Sequence, residues 1–508
     1  MKEGKNLLLG YVAIIVLIVL YQLYFMKTRA KNPPPKEMKT EEVKIQKPEK
    51  KIAKESPKPL ETKAISPTIA VEKGGVKEQE IQYENDFLKV SFTNIGGDIK
   101  EIRVKKYNVW LRPKKGNLTR TAIVEGNTKI DMSNIPFEYE MIKNGVRFYY
   151  KQDSVVYEKV YTFNNKNYTI SLMLLPEKEF YYGIAGFDTD EKVPDKKRFI
   201  GAIVSMGGKP VTVSLRKIEK ASSNRIFNGM INWAGFKTKY FIISVLPENY
   251  ATETVVGKFN DLPFVSTRYN NKVTVYAGPL EYNKLALAKK GFENSIYFGM
   301  TLLRPISKGI FFTIVFLHKG IRNYGLVIII FTILMMLILS PINMVSYKSM
   351  RSMSKIQPEI AKLRQKYKKD PQKLNAATME LYKKYGVNPF SGCLPLLIQM
   401  PVFFALYAVL NSTIELKGAP FALWIKDLSL RDPYFILPIL MGITMFIQQK
   451  FFSPQGATSE QRGLTFMMPI ILTFIFASLP SGLVLYWFVY NLLMILQQYF
   501  IKKQAEGG

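Results

Sequence analysis

The sequence holds one cysteine, Cys393, and one histidine, His318. A single thiol excludes an intrachain disulfide, and together the two residues are too few for the usual Cys/His zinc spacings. A Ser-His-Asp arrangement has only His318 to build on, beside an apolar run. No G-x-x-x-x-G-K-[ST] phosphate loop occurs, so nucleotide hydrolysis has no seat. Formal charge is missing from Leu326 to Val345, and no pair of acids falls within any long apolar run, so a carboxylate proton relay is unsupported. The chain is expected not to be an enzyme and to need no cofactor and no metal.

What is present is concentrated rather than spread. Apolar residues make up 47 % of 508 positions, and several runs reach membrane-spanning length. Lys and Arg number 71 against 40 Asp and Glu, a net charge of +31. That excess fits anionic lipid, a ribosome or nucleic acid, and charge alone does not choose among them.

Leu7 to Met26 is an apolar run behind Lys2 and Lys5, read as an N-terminal transmembrane helix (1–26) that starts in the cytoplasm. Residues 27–77 mix Lys, Glu and Pro and read as an extended linker. Alternation follows: Leu88, Val90 and Phe92 on one face, a Gly96-Gly97 turn, then Ile102 and Val104. Tyr157 to Phe163 and Tyr168 to Leu174 read as paired strands around an Asn-rich turn. Residues 78–290 are therefore expected to form one large β-sandwich. Its length and strand content resemble sugar-processing sandwiches, yet it holds no histidine, so a mutarotase-like His/Glu site is not expected.

The pattern then turns helical. Residues 291–320 carry Arg304, Lys308, His318 and Lys319 among Ile, Phe and Leu, as an interfacial amphipathic helix does. Spans are expected at 324–345, 394–412, 434–452, 464–479 and 482–501. The link Leu479-Pro480-Ser481-Gly482 makes the last two antiparallel neighbours. Between the first two spans, residues 348–388 are rich in Lys and Arg, with Arg351, Lys355, Lys362, Arg364 and Lys366 as the basic surface. The positive-inside rule places this segment in the cytoplasm, and Asp370-Pro371 divides it into a helical hairpin. The topology follows: N-terminus inside, β-domain outside, hairpin inside, Glu415 to Pro433 outside, Ser453 to Arg462 inside. Residues 502–508 form a short basic tail inside.

The polar residues inside apolar spans are the informative ones, because an unpaired group is costly there. Thr332, Ser340 and Asn343 recur at helical spacing, with Met336 between them.

At this point motifs become specific. Gly386-Val-Asn-Pro-Phe-Ser-Gly-Cys-Leu-Pro-Leu-Leu-Ile-Gln-Met-Pro-Val-Phe-Phe-Ala-Leu-Tyr407 resembles the signature of the YidC membrane protein insertases. So do Phe421-Ala-Leu-Trp-Ile-Lys-Asp-Leu-Ser429, Asp432-Pro-Tyr-Phe-Ile-Leu-Pro-Ile-Leu-Met-Gly442 and Pro480-Ser-Gly-Leu-Val-Leu-Tyr-Trp487. Trp233 to Phe241 and Tyr276-Ala-Gly-Pro279 resemble the periplasmic domain of the Gram-negative form.

The resemblance implies an α-helical integral membrane protein, an N-terminal span plus a five-helix insertase core (321–501), carrying an all-β periplasmic sandwich in the bacterial inner membrane. It implies insertion and folding of nascent membrane proteins through a hydrophilic, cytoplasm-facing groove, alone or with the Sec translocase. The family's polar groove positions fall on Thr332, Gln448 and Trp487, with Ser340 on the same stripe. Thr332 is equally read as a hydroxyl bonded to its own helix, and Gln448 as a solvated cap. Contact with the incoming segment falls on Met400, Pro401, Phe403, Phe404 and Phe474, residues that ordinary packing or lipid contact also explains.

One departure stands out. The family commonly has an arginine at the position of Met336, which puts charge-based attraction of an acidic tail in doubt. The ribosome, the targeting machinery and anionic lipids are expected at the hairpin, and no DNA. Two other classes stay open: a small-molecule transporter, which calls for charges or broken helices near the midplane, and a membrane-anchored glycan-binding module, for which one span would suffice.

Overall fold

The alternation between residues 78 and 285 is carried by two sheets packed over one core. The structure is a computed structural model that describes residues 69–70 and 77–506, apart from 127, 153, 191–195, 289, 369, 388–393 and 453–458. The span expected over 1–26 and almost all of the 27–77 linker lie outside the described residues, as do 507 and 508. All described residues belong to one unit, Glu61–Gly508.

The smaller sheet orders Phe187–Thr189, Val109–Pro113, Asp98–Val104, Leu88–Thr93 and Glu80–Glu84 side by side. Leu88, Val90, Phe92, Ile102 and Val104 are wholly buried, as the period-two pattern requires. The reversal uses Gly96 and Gly97 at φ 83° and 58°, where a side chain would be strained. The larger sheet has 15 strands. Its hairpin Val155–Phe163 with Thr169–Leu175 is antiparallel and turns on asparagines. Asn164 Oδ1 accepts from the Lys166 amide at 2.8 Å and Asn167 Oδ1 from the Thr169 amide at 3.0 Å.

One buried charge pair bridges the sheets. Lys159 Nζ lies 3.0 Å from Asp98 Oδ1 and donates to the Gly96 carbonyl at 2.5 Å, both side chains being fully buried. Among the described residues Asp98 Oδ2 has no hydrogen-bond partner, although it is buried.

The helical part follows, labelled here in chain order: α1 (Arg304–Gly320), α2 (Tyr324–Lys355), α3 (Gln357–Lys366), α4 (Pro371–Lys384), α5 (Leu394–Ser412), α6 (Ile436–Phe452), α7 (Ser459–Phe476) and α8 (Ser481–Glu506). The helix expected over 291–320 begins only at Arg304, with Pro305 in its first turn. Upstream, Gly299 at φ 81° interrupts the pattern. Phe292 is claimed by the β-domain, its ring 5.0 Å from Trp233 and 5.3 Å from Tyr276. α2 does not stop at residue 345 but continues through Pro341 to Lys355, so the first eight positions assigned to the hairpin are the end of a span helix. The helix of the C-terminal tail likewise extends α8 to Glu506.

The hairpin itself is two helices around a small core of Ile356, Ile360 and Val387. Asp370 caps α4, its carboxylate accepting from the Lys373 amide at 3.0 Å ahead of Pro371. The packing order of the last helices differs from the expectation drawn from their short link. α8 packs along α6 and α2, and α7 packs along α6. α7 meets α8 where the chain turns, through Phe476 and Trp487 at 5.2 Å. A short connection fixes only that two ends are close. Here Gly442 of α6 accepts α7 instead, since a Cβ there would lie 2.1 Å from Thr473 Oγ1.

Tyr324–Ser346 and Ser481–Ile501 are long and apolar enough to cross a bilayer. α5, α6 and α7 are 19, 17 and 18 residues long.

Candidate functional site

α8 offers polar side chains at helical spacing, Tyr486, Tyr490, Gln497 and Gln498, with Asn491 beside them and Met494 in the turn between. All but Gln497 are buried. Gln399 of α5 donates to the Tyr486 hydroxyl. Asn343 of α2 donates from Nδ2 to the Tyr490 hydroxyl at 3.4 Å and lies as close to Met494 Sδ. Gln497 donates to Ser340 Oγ at 2.7 Å. These bonds form a polar column between α2, α5 and α8, and no residue of it carries a formal charge.

Much of the column's hydrogen-bonding capacity is unmet by the protein. Among the described residues, Gln399 Oε1, Asn491 Nδ2 and both amide atoms of Gln498 are buried without a partner, as is Gln449 Oε1 of α6. Leaving one such group dry costs about 1–3 kcal/mol. An apolar bundle selected for stability alone would not keep several of them together.

The residues singled out from sequence fall in different places. Ser340 is in the column. Thr332 is fully buried, and its hydroxyl donates at 2.7 Å to the Ile328 carbonyl, the own-helix alternative. Trp487 is buried in an aromatic cluster, 5.3 Å from Phe403 and 5.2 Å from Phe476. Gln448 and Met336 are half-buried on α6 and α2. Met400, Pro401, Phe403 and Phe404 are half-buried on α5, whereas Phe474 of α7 is 74 % exposed. Lys355, Lys362 and Lys366 are exposed and Arg364 half-buried; the side chain of Arg351 lies outside the described residues. Sequence reasoning missed Gln399, Tyr486, Tyr490, Asn491, Gln497 and Gln498. The signal was available on α8, where polar residues recur at helical spacing in an apolar run.

The end of α5 nearest the β-domain is closed by a seam. Lys239 Nζ donates to Asn411 Oδ1 at 3.0 Å, Ser412 Oγ to the Tyr297 carbonyl at 2.8 Å, and the Tyr282 amide to Glu415 Oε1 at 3.3 Å. The Lys417 ammonium faces the rings of Tyr107, Tyr240 and Phe241 at 5.7, 5.8 and 5.5 Å. Burial pushes the Glu415 carboxyl up to about 7, with the neighbouring Glu281 adding to the rise. Asp432 fixes the start of α6, accepting from the Tyr434 and Leu437 amides at 3.0 and 2.7 Å and from the Trp424 indole at 3.1 Å. Among the described residues no group of three or more His, Cys, Asp or Glu could hold a metal ion.

Comparison with known proteins assigns the two halves. Residues 316–507 match the family described as 60Kd inner membrane protein, and residues 80–313 match the YidC periplasmic domain. The membrane protein insertase YidC of Syntrophus aciditrophicus (strain SB) is 34 % identical over 99 % of this chain and 100 % of its own length. The chain belongs to the YidC membrane protein insertase family. A second YidC, from Geobacter sp. (strain M21), is 33 % identical over 84 % of this chain and 86 % of its own. The crystal structure of an active YidC insertase with its first transmembrane domain resolved aligns over 84 % of this chain and 93 % of that one, at 20 % identity and a TM-score of 0.42. YidC proteins are insertases rather than enzymes, and the chain is a membrane protein with an all-β domain ahead of a helical core.

Proposed function

We propose that this protein inserts nascent membrane proteins into the bacterial inner membrane, holding their polar segments in the column between α2, α5 and α8. The observation that carries the reading is the set of buried, uncharged and partly unpaired amides in an otherwise apolar bundle. A polar loop entering beside Gln399, Asn491 and Gln498 exchanges bulk water for hydrogen bonds rather than for hydrocarbon, where each charged residue would cost about 2.5–3.5 kcal/mol. The apolar segment that follows moves into lipid along α5 and α7, past Met400, Pro401, Phe404 and the exposed Phe474. Its burial supplies about 25 cal/mol per Å² without a nucleotide.

Met336 leaves the column without a fixed positive charge, so hydration rather than attraction of acidic tails does the work. Thr332, Gln448 and Trp487 belong to this reading as groove positions, Thr332 and Trp487 as part of its supporting wall.

The β-domain faces the periplasm and the hairpin the cytoplasm, as the basic excess of 348–388 requires. There Lys355, Lys362, Arg364 and Lys366, joined by Arg351, meet the ribosome and the targeting machinery and hold anionic lipid at about 1 kcal/mol per basic residue. Work alongside the Sec translocase rests on the family alone. The test is depletion in cells with complementation by a Gln399→Leu/Asn491→Leu/Gln498→Leu variant. Integration of newly made inner-membrane proteins should fail on depletion and stay impaired with the variant although it accumulates. Normal integration on depletion refutes the reading.

A further inference from the structure

The β-domain carries a cavity of about 280 Å³ on the large sheet, near the lower end of small-ligand pockets at about 300 Å³. Its floor is a glycine in mid-strand. Gly183 pairs with Arg120 on one side and Ser266 on the other, and both registers run on without a shift, so no bulge explains it. Glycine inside a strand loses packing and often marks a close approach by a ligand. Nothing local demands it here: its φ is not left-handed, and a Cβ would meet nothing nearer than 3.6 Å. Tyr182 is buried in the core, so its neighbour Gly183 faces the opposite side of the sheet. Phe259, Leu262, Pro263 and Phe264 line the cavity.

Two cations face the same space. The Arg120 guanidinium lies 4.6 Å from the centre of the Phe259 ring, and the Lys129 ammonium 3.8 Å from that of Tyr181. Among the described residues neither makes an ion pair with a carboxylate, although Asp131 also lines the cavity and the charge of Glu253 reaches Lys129. Asp131 accepts from the Ser133 amide at 2.9 Å, Glu253 from the Tyr181 hydroxyl at 2.6 Å, and Glu179 pairs with Arg268. Burial lowers the affinity of Lys129 for its proton, a cost that an anion beside it would offset.

We propose that this cavity is a binding site for a small monoanion with an apolar body, of the aryl- or alkyl-carboxylate class. The carboxylate sits between Arg120 and Lys129, and the body lies over Gly183 against Phe259 and Phe264. The site is independent of the polar column and of insertion.

The test uses the full chain in phosphatidylcholine nanodiscs, titrated calorimetrically with 3-phenylpropionate and with octanoate, empty nanodiscs serving as the blank. Saturable binding of either acid, with 3-phenylpropionamide and inorganic phosphate at least tenfold weaker, is the expected result. Arg120→Gln and Lys129→Gln should each weaken the acids about tenfold, as loss of one charge-assisted bond does, and leave the amide unchanged. Gly183→Leu should abolish binding while the thermal transition of the β-domain persists. Absence of saturable binding by both acids, equal binding of acid and amide, equal binding of inorganic phosphate, or indifference to both glutamine variants would each overturn the proposal.

Discussion

Replacing Lys159 by methionine removes one charge from between the two sheets while keeping most of the stem that fills the space. The partner is then stranded: Asp98 keeps the Thr121 hydroxyl at 3.3 Å, and its Oδ2 has no partner to begin with. Breaking a buried pair in this way costs about 3–5 kcal/mol. For a domain of about 200 residues 1 kcal/mol moves the transition by about 2–4 °C, so the β-domain should melt roughly 6–20 °C lower.

The loss depends on pH, with a definite sign. Burial holds the Asp98 carboxyl at about 6 against an ordinary 3.8, even with Lys159 lowering it. A carboxyl that is raised in the folded state binds its proton more tightly there, so its contribution to stability is present at low pH and lost as pH rises through that window. Without Lys159 the carboxyl rises further, and Lys159→Met should be better tolerated at pH 5 than at pH 8. Near-ultraviolet circular dichroism of the full chain in detergent reads both transitions. A shift under 2 °C at pH 8, or a greater loss at pH 5, refutes the reasoning. Adding Asp98→Leu should restore most of the loss, since no charge is then buried.

Four further outcomes are expected. Met336→Arg should leave folded yield unchanged, because a wet column solvates the guanidinium; a severe loss of folded protein, measured by size-exclusion chromatography, would show the site to be dry. Gln498→Leu should leave thermal stability within about 1 kcal/mol, because water in the column already satisfies the amide, while slowing insertion of a polar-tailed substrate into proteoliposomes. Glu415→Gln should flatten the pH dependence of the melt: the native carboxyl at about 7 stabilises the fold at low pH and loses roughly 3 kcal/mol as pH rises from 4.5 to above 7. Lys362→Glu with Lys366→Glu should weaken flotation with anionic vesicles but not with neutral ones, and added salt should shrink the difference.

The elements that obey a period were legible in the sequence. Leu88, Val90 and Phe92 alternate because one face of their strand is buried. Asp370-Pro371 breaks the hairpin by chemistry that is local, a cap and a missing amide hydrogen. The α5 span could be bounded at 394–412 from its apolar length alone. Its faces could not be read. Helix surfaces that meet lipid are as apolar as those that meet protein, so no amphipathic stripe tells inside from outside. Phe403 and Phe404 are both half-buried and look alike in the sequence for this reason, although Phe403 packs on Trp487. Thr332 kept two readings for another reason: spacing cannot reveal whether its hydroxyl bonds its own Ile328 carbonyl, as it does. The column itself became visible only when Gln399 and Tyr486, far apart in the chain, were brought together.

The seam at residues 411–417 sets how the bundle can move. Asn411, Ser412, Glu415 and Lys417 are each fastened to the β-domain or to the segment leading out of it, while the other end of α5 has no such attachment among the described residues. Any splaying of the helices must therefore pivot about the fastened end, as the jaws of a clothes-peg turn on their spring. In the proposed insertion the helices would then part most at the end of α5 remote from the β-domain.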